Sequence, residues 1–174
     1  MITVERRATD WCPSSGRIGR MTVWPPSWSL HPRLEQDTEV VGDLSLSCLL
    51  VNNDANYPWL LLVPRRPGAR EIIDLDEKDQ SQLMIEIAHI SRALKVVTAC
   101  HKLNVAAIGN MVPQLHVHIV ARKRDDPAWP KPVWDTVPAR AYDLAERERF
   151  IAALRRKIGL LWQMEHLATR DKTR

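Results

Sequence analysis

Residues 109–122 read GNMVPQLHVHIVAR, and this segment carries the clearest structural signal in the chain. From Gln114 to Val120 polar and apolar residues alternate strictly, which is the pattern of a half-buried β-strand. The alternation places Gln114, His116 and His118 on one face and the three intervening aliphatic residues on the other. Two residues along a strand span about 6.6 Å, so one small anionic group can contact both imidazoles. The segment therefore predicts a strand with an apolar core face and a reactive polar face.

Three interpretations of the polar face are open. The first is a half-exposed strand with two surface histidines. The second is a metal site, because imidazoles at positions i and i+2 of a strand can ligate one ion. The nearest carboxylates are Asp125 and Asp126, where the strand is expected to have ended, so we expect no metal ligands here. The third is nucleophilic catalysis on phosphorus, in which a neutral imidazole attacks while nearby donors and cations neutralise the phosphoryl oxygens.

The segment resembles the signature of the histidine-triad (HIT) superfamily of nucleotide hydrolases and transferases, in which three histidines alternate with hydrophobic residues. His116 and His118 match the second and third histidines, and Gln114 stands where the first is usual. The resemblance implies that His116 is the nucleophile, that His118 contacts the phosphate and that Gln114 takes the remaining catalytic position. A glutamine forms hydrogen bonds but does not change protonation state near neutral pH. If the first position only orients its neighbours, activity survives; if it shuttles a proton, activity falls by about 10²–10⁴-fold.

The resemblance extends over roughly residues 43–134 and implies four substrate-binding residues. Asn52 lies in a segment similar to the ribose-contacting hairpin of the family, and an amide suits a vicinal diol because it both donates and accepts. A simple turn residue is the alternative there. Gly109 and Asn110 stand where the family usually has Gly-Gln, and Gly109 permits a tight turn that directs backbone N–H groups inward. Asn104 and Asn110 match amides that hold the phosphate or the leaving group.

The composition limits the class of partner and the compartment. The chain has 174 residues and a formal net charge of +4, which suits one domain with a small anionic ligand; a nucleic-acid groove would need more basic surface. No segment approaches the about 20 consecutive apolar residues of a membrane span. Three cysteines at no metal-like spacing predict reduced thiols and a cytoplasmic location. We expect no cofactor, because a neutral imidazole needs no metal to act as a nucleophile.

Hydrophobic periodicity predicts the main elements. Apolar residues recur at three- and four-residue steps after Asp76, which can serve as the N-cap of a helix to about Cys100. A second amphipathic helix is predicted from Ala139 to about Leu161, and strands are predicted at residues 44–51, 59–64, 103–108 and 114–120. The continuous apolar run from Trp59 indicates burial on both faces and suits a subunit contact. The resemblance implies a homodimer and an α+β fold: an antiparallel sheet of about five strands, one long helix across it and a C-terminal helix.

The chain divides into three parts. Residues 1–27 lack periodicity and predict a disordered or irregular extension, residues 28–161 a HIT-like domain, and residues 162–174 a charged tail that frays. Residues 125–138 are too rich in proline for a helix or a central strand. With their two tryptophans they predict a rigid flap packed on the domain or over the mouth of the site.

The predicted function is cleavage at the α-phosphate of a (di)nucleoside polyphosphate or a nucleoside phosphoramidate, through a nucleotidyl-histidine intermediate. The alternative is a nucleotide-binding or sensing module with weak or no turnover. A weaker third candidate is a metal-dependent hydrolase.

Overall fold

The computed structural model describes the backbone of residues 28–171 and the side chains of residues 28–160. The predicted N-terminal extension, residues 1–27, lies outside this range. The elements in chain order are α1 (Pro32–Asp37), β1 (Thr38–Asp43), β2 (Ser47–Asn52), β3 (Trp59–Pro64), α2 (Glu77–Thr98), β4 (Lys102–Ala106), β5 (Val117–Arg122) and α3 (Leu144–Asp171), with one 3-10 turn at Ile72–Asp74.

The five strands form one antiparallel sheet in the order β1-β2-β3-β5-β4. The long helix α2 and the C-terminal helix α3 contact each other, and both contact the sheet. The predicted α+β fold is therefore confirmed.

The helix α2 begins and ends at local signals in the sequence. The carboxylate of Asp76 accepts a hydrogen bond from the backbone N–H of Asp79 at 2.7 Å and caps the first turn. The helix ends at Ala99, which has a φ of 50° in the left-handed region. Both ends lie within two residues of the predicted bounds.

Each face of the sheet has its own buried apolar cluster. On the helix face, Leu60 and Leu62 of β3 pack with Val117 and Ile119 of β5 beneath α2 and α3. On the opposite face, the alternate residues of β3 and β5 pack with residues near the start of the described chain and with the flap. All six residues of β3 are buried within this single chain. The apolar run that suited a subunit contact is explained by this two-sided burial, so it gives no support to a dimer.

Candidate active site

The two histidines of the signature lie together on the sheet face opposite the helices. The ring centroids of His116 and His118 are 4.8 Å apart, with an interplanar angle of 80°. The residues are only 5% and 6% exposed, which does not fit the interpretation as surface histidines. The strand β5 begins at Val117, three residues later than predicted, so His116 immediately precedes it.

The proton position on His116 follows from its hydrogen-bond partner. Its Nδ1 lies 2.7 Å from the backbone carbonyl oxygen of Gln114. A carbonyl oxygen only accepts, so Nδ1 carries the proton and Nε2 keeps its lone pair. The ring therefore presents Nε2 as its nucleophilic atom.

His118 has the opposite tautomer, which follows from its own hydrogen-bond partner. The indole N–H of Trp59 donates to Nδ1 of His118 at 2.9 Å, and an indole has no acceptor atom. The proton of His118 is consequently on Nε2, and the ring donates to the backbone carbonyl of Ile108. Burial lowers the pKa of His118 to about 4; repulsion from His116 adds to this effect, and the bond to Ile108 opposes it. At neutral pH the ring is an uncharged hydrogen-bond donor.

The lowered pKa of His118 predicts a pH-dependent stability. As pH falls, the unfolded chain binds this proton near pH 6.5, before the folded chain does. The contribution of His118 to the free energy of unfolding is thus complete above pH 6.5 and is lost as pH falls towards 4. The lowering from 6.5 to about 4 corresponds to up to about 3 kcal/mol. Urea unfolding between pH 7.5 and 4 should show a steeper loss for the wild type than for His118→Gln. Parallel curves for the two proteins would contradict this assignment.

Gln114 joins the site through its backbone and not through its side chain. Its Oε1 accepts from the backbone N–H of His31 at 2.8 Å, and its Nε2 donates to the carbonyl of Ser29 at 2.9 Å. The amide therefore ties the segment before α1 to the segment before β5. A catalytic role for this side chain stays a prediction, and here both ends of its amide are bonded to backbone groups.

Comparison with known proteins shows the family of the chain. The HIT domain matches residues 33–125. This chain belongs to the HIT family. A histidine triad protein from Bradyrhizobium japonicum is 65% identical with a TM-score of 0.75, and the match covers 76% of this chain and 99% of that one. A histidine triad protein from Marinobacter aquaeolei is 40% identical with a TM-score of 0.75, and the match covers 78% of this chain and 98% of that one. A histidine triad protein from Sinorhizobium meliloti is 38% identical with a TM-score of 0.74, and the match covers 75% of this chain and 97% of that one. A comparison with curated proteins gives no match.

The two asparagines on strands of this HIT protein are engaged within the fold. The Oδ1 of Asn104, on β4, accepts from a guanidinium N–H of Arg122 at 2.8 Å. The Oδ1 of Asn52, at the end of β2, accepts from the backbone N–H of Asp54 at 2.8 Å, which is the turn role that was the alternative for this residue. In both cases the amide NH₂ group is the part that can donate to a ligand.

Gly109 and Asn110 lie exposed in the loop between β4 and β5. A Cβ added to Gly109 would lie 3.3 Å from the carbonyl oxygen of Val112. The requirement for glycine there is this close approach of the loop to itself, and not a left-handed backbone conformation.

The flap reaches the histidines, as one of the two predicted placements requires. The ring of Trp134 packs edge-on against His118, with centroids 5.5 Å apart, and against Trp59 at the same distance. The high tryptophan and proline content of residues 125–138 predicted that the flap is rigid. The sequence did not show that the flap contacts His118 and Trp59.

Arg122 is a buried structural cation that sequence reasoning did not single out. It is 1% exposed, and it donates to both carboxylate oxygens of Asp126 at 2.8 and 2.9 Å as well as to Asn104. The guanidinium carbon lies 5.9 Å from the ring centroid of Tyr57 and 5.8 Å from that of Trp129. One side chain thus joins β5, the edge strand β4 and the flap, and its charge is compensated inside the fold.

A cavity of about 310 Å³ opens beside Gln114 and is lined by residues 29–32, 68–70 and 113–114. It borders the residue that holds Nδ1 of His116. Neither His116 nor His118 is among the residues that line it.

Two absences apply to the described part of the chain. It contains no group of three or more His, Cys, Asp or Glu residues placed to hold a metal ion. None of its helices has both the length and the apolar character needed to span a membrane.

Proposed function

We propose that this HIT protein cleaves a (di)nucleoside polyphosphate or a nucleoside phosphoramidate at the α-phosphate through a nucleotidyl-His116 intermediate. One observation carries the proposal: the Gln114 carbonyl holds the proton of His116 on Nδ1, so that the Nε2 lone pair is presented beside a neutral imidazole donor. This is the arrangement that nucleophilic catalysis by an imidazole needs.

The proposed reaction has two steps. First, Nε2 of His116 attacks the α-phosphorus, the P–N bond forms, and the leaving group departs with the electron pair of the broken bond. The imidazole becomes cationic, and the Gln114 carbonyl stabilises that charge through the Nδ1 proton. Next, water attacks the phosphorus, the P–N bond breaks, its electrons return to Nε2, and the nucleoside monophosphate is released with loss of a proton to solvent.

The neighbouring residues have proposed roles in the same reaction. A phosphoryl oxygen replaces the Ile108 carbonyl as acceptor of the Nε2 proton of His118. The amide NH₂ of Asn52 donates to a ribose hydroxyl, while Asn104 and the Gly109-Asn110 loop donate to the phosphate or the leaving group. The leaving group takes any proton it needs from solvent, because the Gln114 amide cannot supply one.

The remaining features of the proposal concern the assembly and its setting. We propose a homodimer that acts on a small nucleotide without a cofactor and without nucleic acid or membrane as partner. The homodimer is supported by the family, since HIT proteins commonly form two-fold dimers. A reducing, cytoplasmic compartment is supported by the free thiols of Cys48 and Cys100.

The test is incubation of the protein with diadenosine tetraphosphate and, separately, with an adenosine phosphoramidate. We expect release of AMP, no loss of rate after exhaustive chelation, and one nucleotidyl group on His116 when rapidly quenched samples are mapped by mass spectrometry. Loss of activity on chelation would favour a metal-dependent hydrolase.

A nucleotide-binding module is the second candidate, and the enclosure of the site favours it. Both histidines are at least 94% buried, and Trp134 lies against His118, so a substrate must displace part of this covering. Tight binding of the dinucleotide without AMP release or adduct would support the module and overturn the hydrolase.

A further inference from the structure

We infer that Trp59 is a positioning residue whose indole N–H holds His118 in the tautomer that donates from Nε2. This role rests on the proposed function, in which that N–H contacts the transferred phosphate. Trp59 itself lies behind the imidazole, on the side away from the donating nitrogen.

The geometry is that of a directed hydrogen bond in a buried site. Trp59 is the first residue of β3, pairs with Val120 of β5 and is 7% exposed. Its ring lies 5.4 Å from that of His118 at an angle of 63°, and its Nε1 is 2.9 Å from the Nδ1 of His118. This distance is normal for a good N–H donor and its acceptor.

The sequence of β3 separates this contact from ordinary core packing. The other five side chains of the strand, from Leu60 to Pro64, carry no polar atom. Trp59 Nε1 is therefore the single polar side-chain atom that the strand contributes, and it is aimed at the one ring nitrogen that must stay unprotonated. A phenylalanine would fill similar space without this donor.

The Trp59 indole disfavours the tautomer of His118 that is protonated on Nδ1. If the proton of His118 moved to Nδ1, two N–H groups would face each other and the buried indole donor would lose its partner. Such a loss costs about 1–3 kcal/mol, which is a bias of roughly 5- to 150-fold towards the Nε2–H tautomer. The imidazolium form also carries a proton on Nδ1, so the same contact opposes protonation of His118.

The other groups around the ring act in the same sense or are uncharged. Within the described residues, His116 is the titratable group that acts on His118, and its repulsion disfavours a second charge. Trp134 from the flap contributes an uncharged ring, and Ile108 contributes a carbonyl. The indole of Trp59 is the contact that distinguishes the two ring nitrogens on the Nδ1 side.

The test compares Trp59→Phe with Trp134→Phe by ¹⁵N spectroscopy of the histidine rings, without substrate. The two tryptophans contact His118 at nearly equal distance, so Trp134→Phe controls for loss of an indole beside the ring. In the wild type and in Trp134→Phe we expect protonated Nε2 and unprotonated Nδ1. In Trp59→Phe we expect a mixture of tautomers and a raised pKa of His118. Unchanged resonances of His89, which is buried between α2 and α3 at a contact to the Ile158 carbonyl, show that the fold persists.

Kinetics supply the second measurement. We expect Trp59→Phe to lower kcat in proportion to the fraction of His118 that leaves the Nε2–H tautomer, which is roughly twofold for an equal mixture, with KM changed less than about threefold because ground-state contacts remain. The acidic limb of the rate profile should also move to higher pH. An unshifted tautomer in Trp59→Phe overturns the inference. A shifted tautomer in a protein whose wild type releases no AMP overturns the proposed hydrolysis alone.

Discussion

His116→Ala is expected to abolish AMP release from diadenosine tetraphosphate, lowering kcat by about 10⁴-fold or more, as for loss of other nucleophiles. The reason is that the neighbouring ring cannot substitute for it. In His118, Nδ1 is occupied by the Trp59 indole and Nε2 is protonated, so neither atom offers a lone pair to phosphorus. Release of AMP is followed by chromatography under single-turnover conditions, and the adduct by mass spectrometry.

The matched control is His101→Ala. His101 is exposed immediately before β4, and its side chain lies outside the proposed machinery, so its loss should change the rate less than about twofold. Dinucleotide affinity in His116→Ala should stay within about tenfold of the wild type, because the proposed binding amides remain. Full AMP release by His116→Ala, with an adduct on His118, would reverse the roles given to the two histidines.

Arg122→Met is expected to lower the free energy of unfolding by about 3–5 kcal/mol, the range for removing one partner of a buried ion pair. The Asp126 side chain is 7% exposed, so its carboxylate would be left in the protein interior without its cation. The same change removes the partner of Asn104. Urea unfolding monitored by tryptophan fluorescence measures the loss, with Trp129 beside the guanidinium as one reporter.

A double-mutant cycle separates the ion pair from the packing of the long side chain. Asp126→Leu alone should also destabilise, whereas Arg122→Met combined with Asp126→Leu should be less destabilised than the sum of the two single effects, because no buried charge then lacks a partner. Arg124→Met is the control, since Arg124 is exposed two residues away and should cost less than about 0.5 kcal/mol. Strictly additive effects would show that Arg122 stabilises the flap through its hydrocarbon chain alone.

Local patterns were sufficient for the elements that the core defines. The helix from Asp76 was predicted because burial of one face imposes a period on its residues, and the strand from Trp59 because burial of both faces makes its sequence continuously apolar. The edge strand β1 was not among the four strands located from the sequence. It contains glycine and charged residues and has an irregular register between Val40 and Gly42, so the pattern typical of a half-buried strand is weak.

The C-terminal helix shows how tertiary contacts override periodicity. It was predicted from Ala139 but begins at Leu144 and continues to Asp171, beyond the predicted start of the charged tail. The residues before it pair with the β2–β3 hairpin instead: Ala141 forms a bridge with Asp54, and the Pro138 carbonyl accepts from Asn56. These contacts join residues more than 80 positions apart and leave no local signal.

The sequence predicted the reactive residues of the site but not the side-chain contacts that hold them in place. Alternation predicted that His116 and His118 lie together, as their ring centroids 4.8 Å apart show. The Trp59 bond to His118 and the Arg122 bonds to Asn104 and Asp126 depend on strand register and on the path of the flap. A tryptophan at a strand start and an arginine at a strand end have the same appearance in a sequence whether or not they serve a site.

The carbonyl contact at position 114 has a consequence for how such proteins are recognised. Every amino acid supplies the same main-chain oxygen, so orientation of His116 makes no demand on the identity of residue 114. In this chain the side chain at that position, the Gln114 amide, instead binds the backbone of Ser29 and His31. Counting imidazoles in a signature therefore underestimates the number of chains able to present a competent nucleophile.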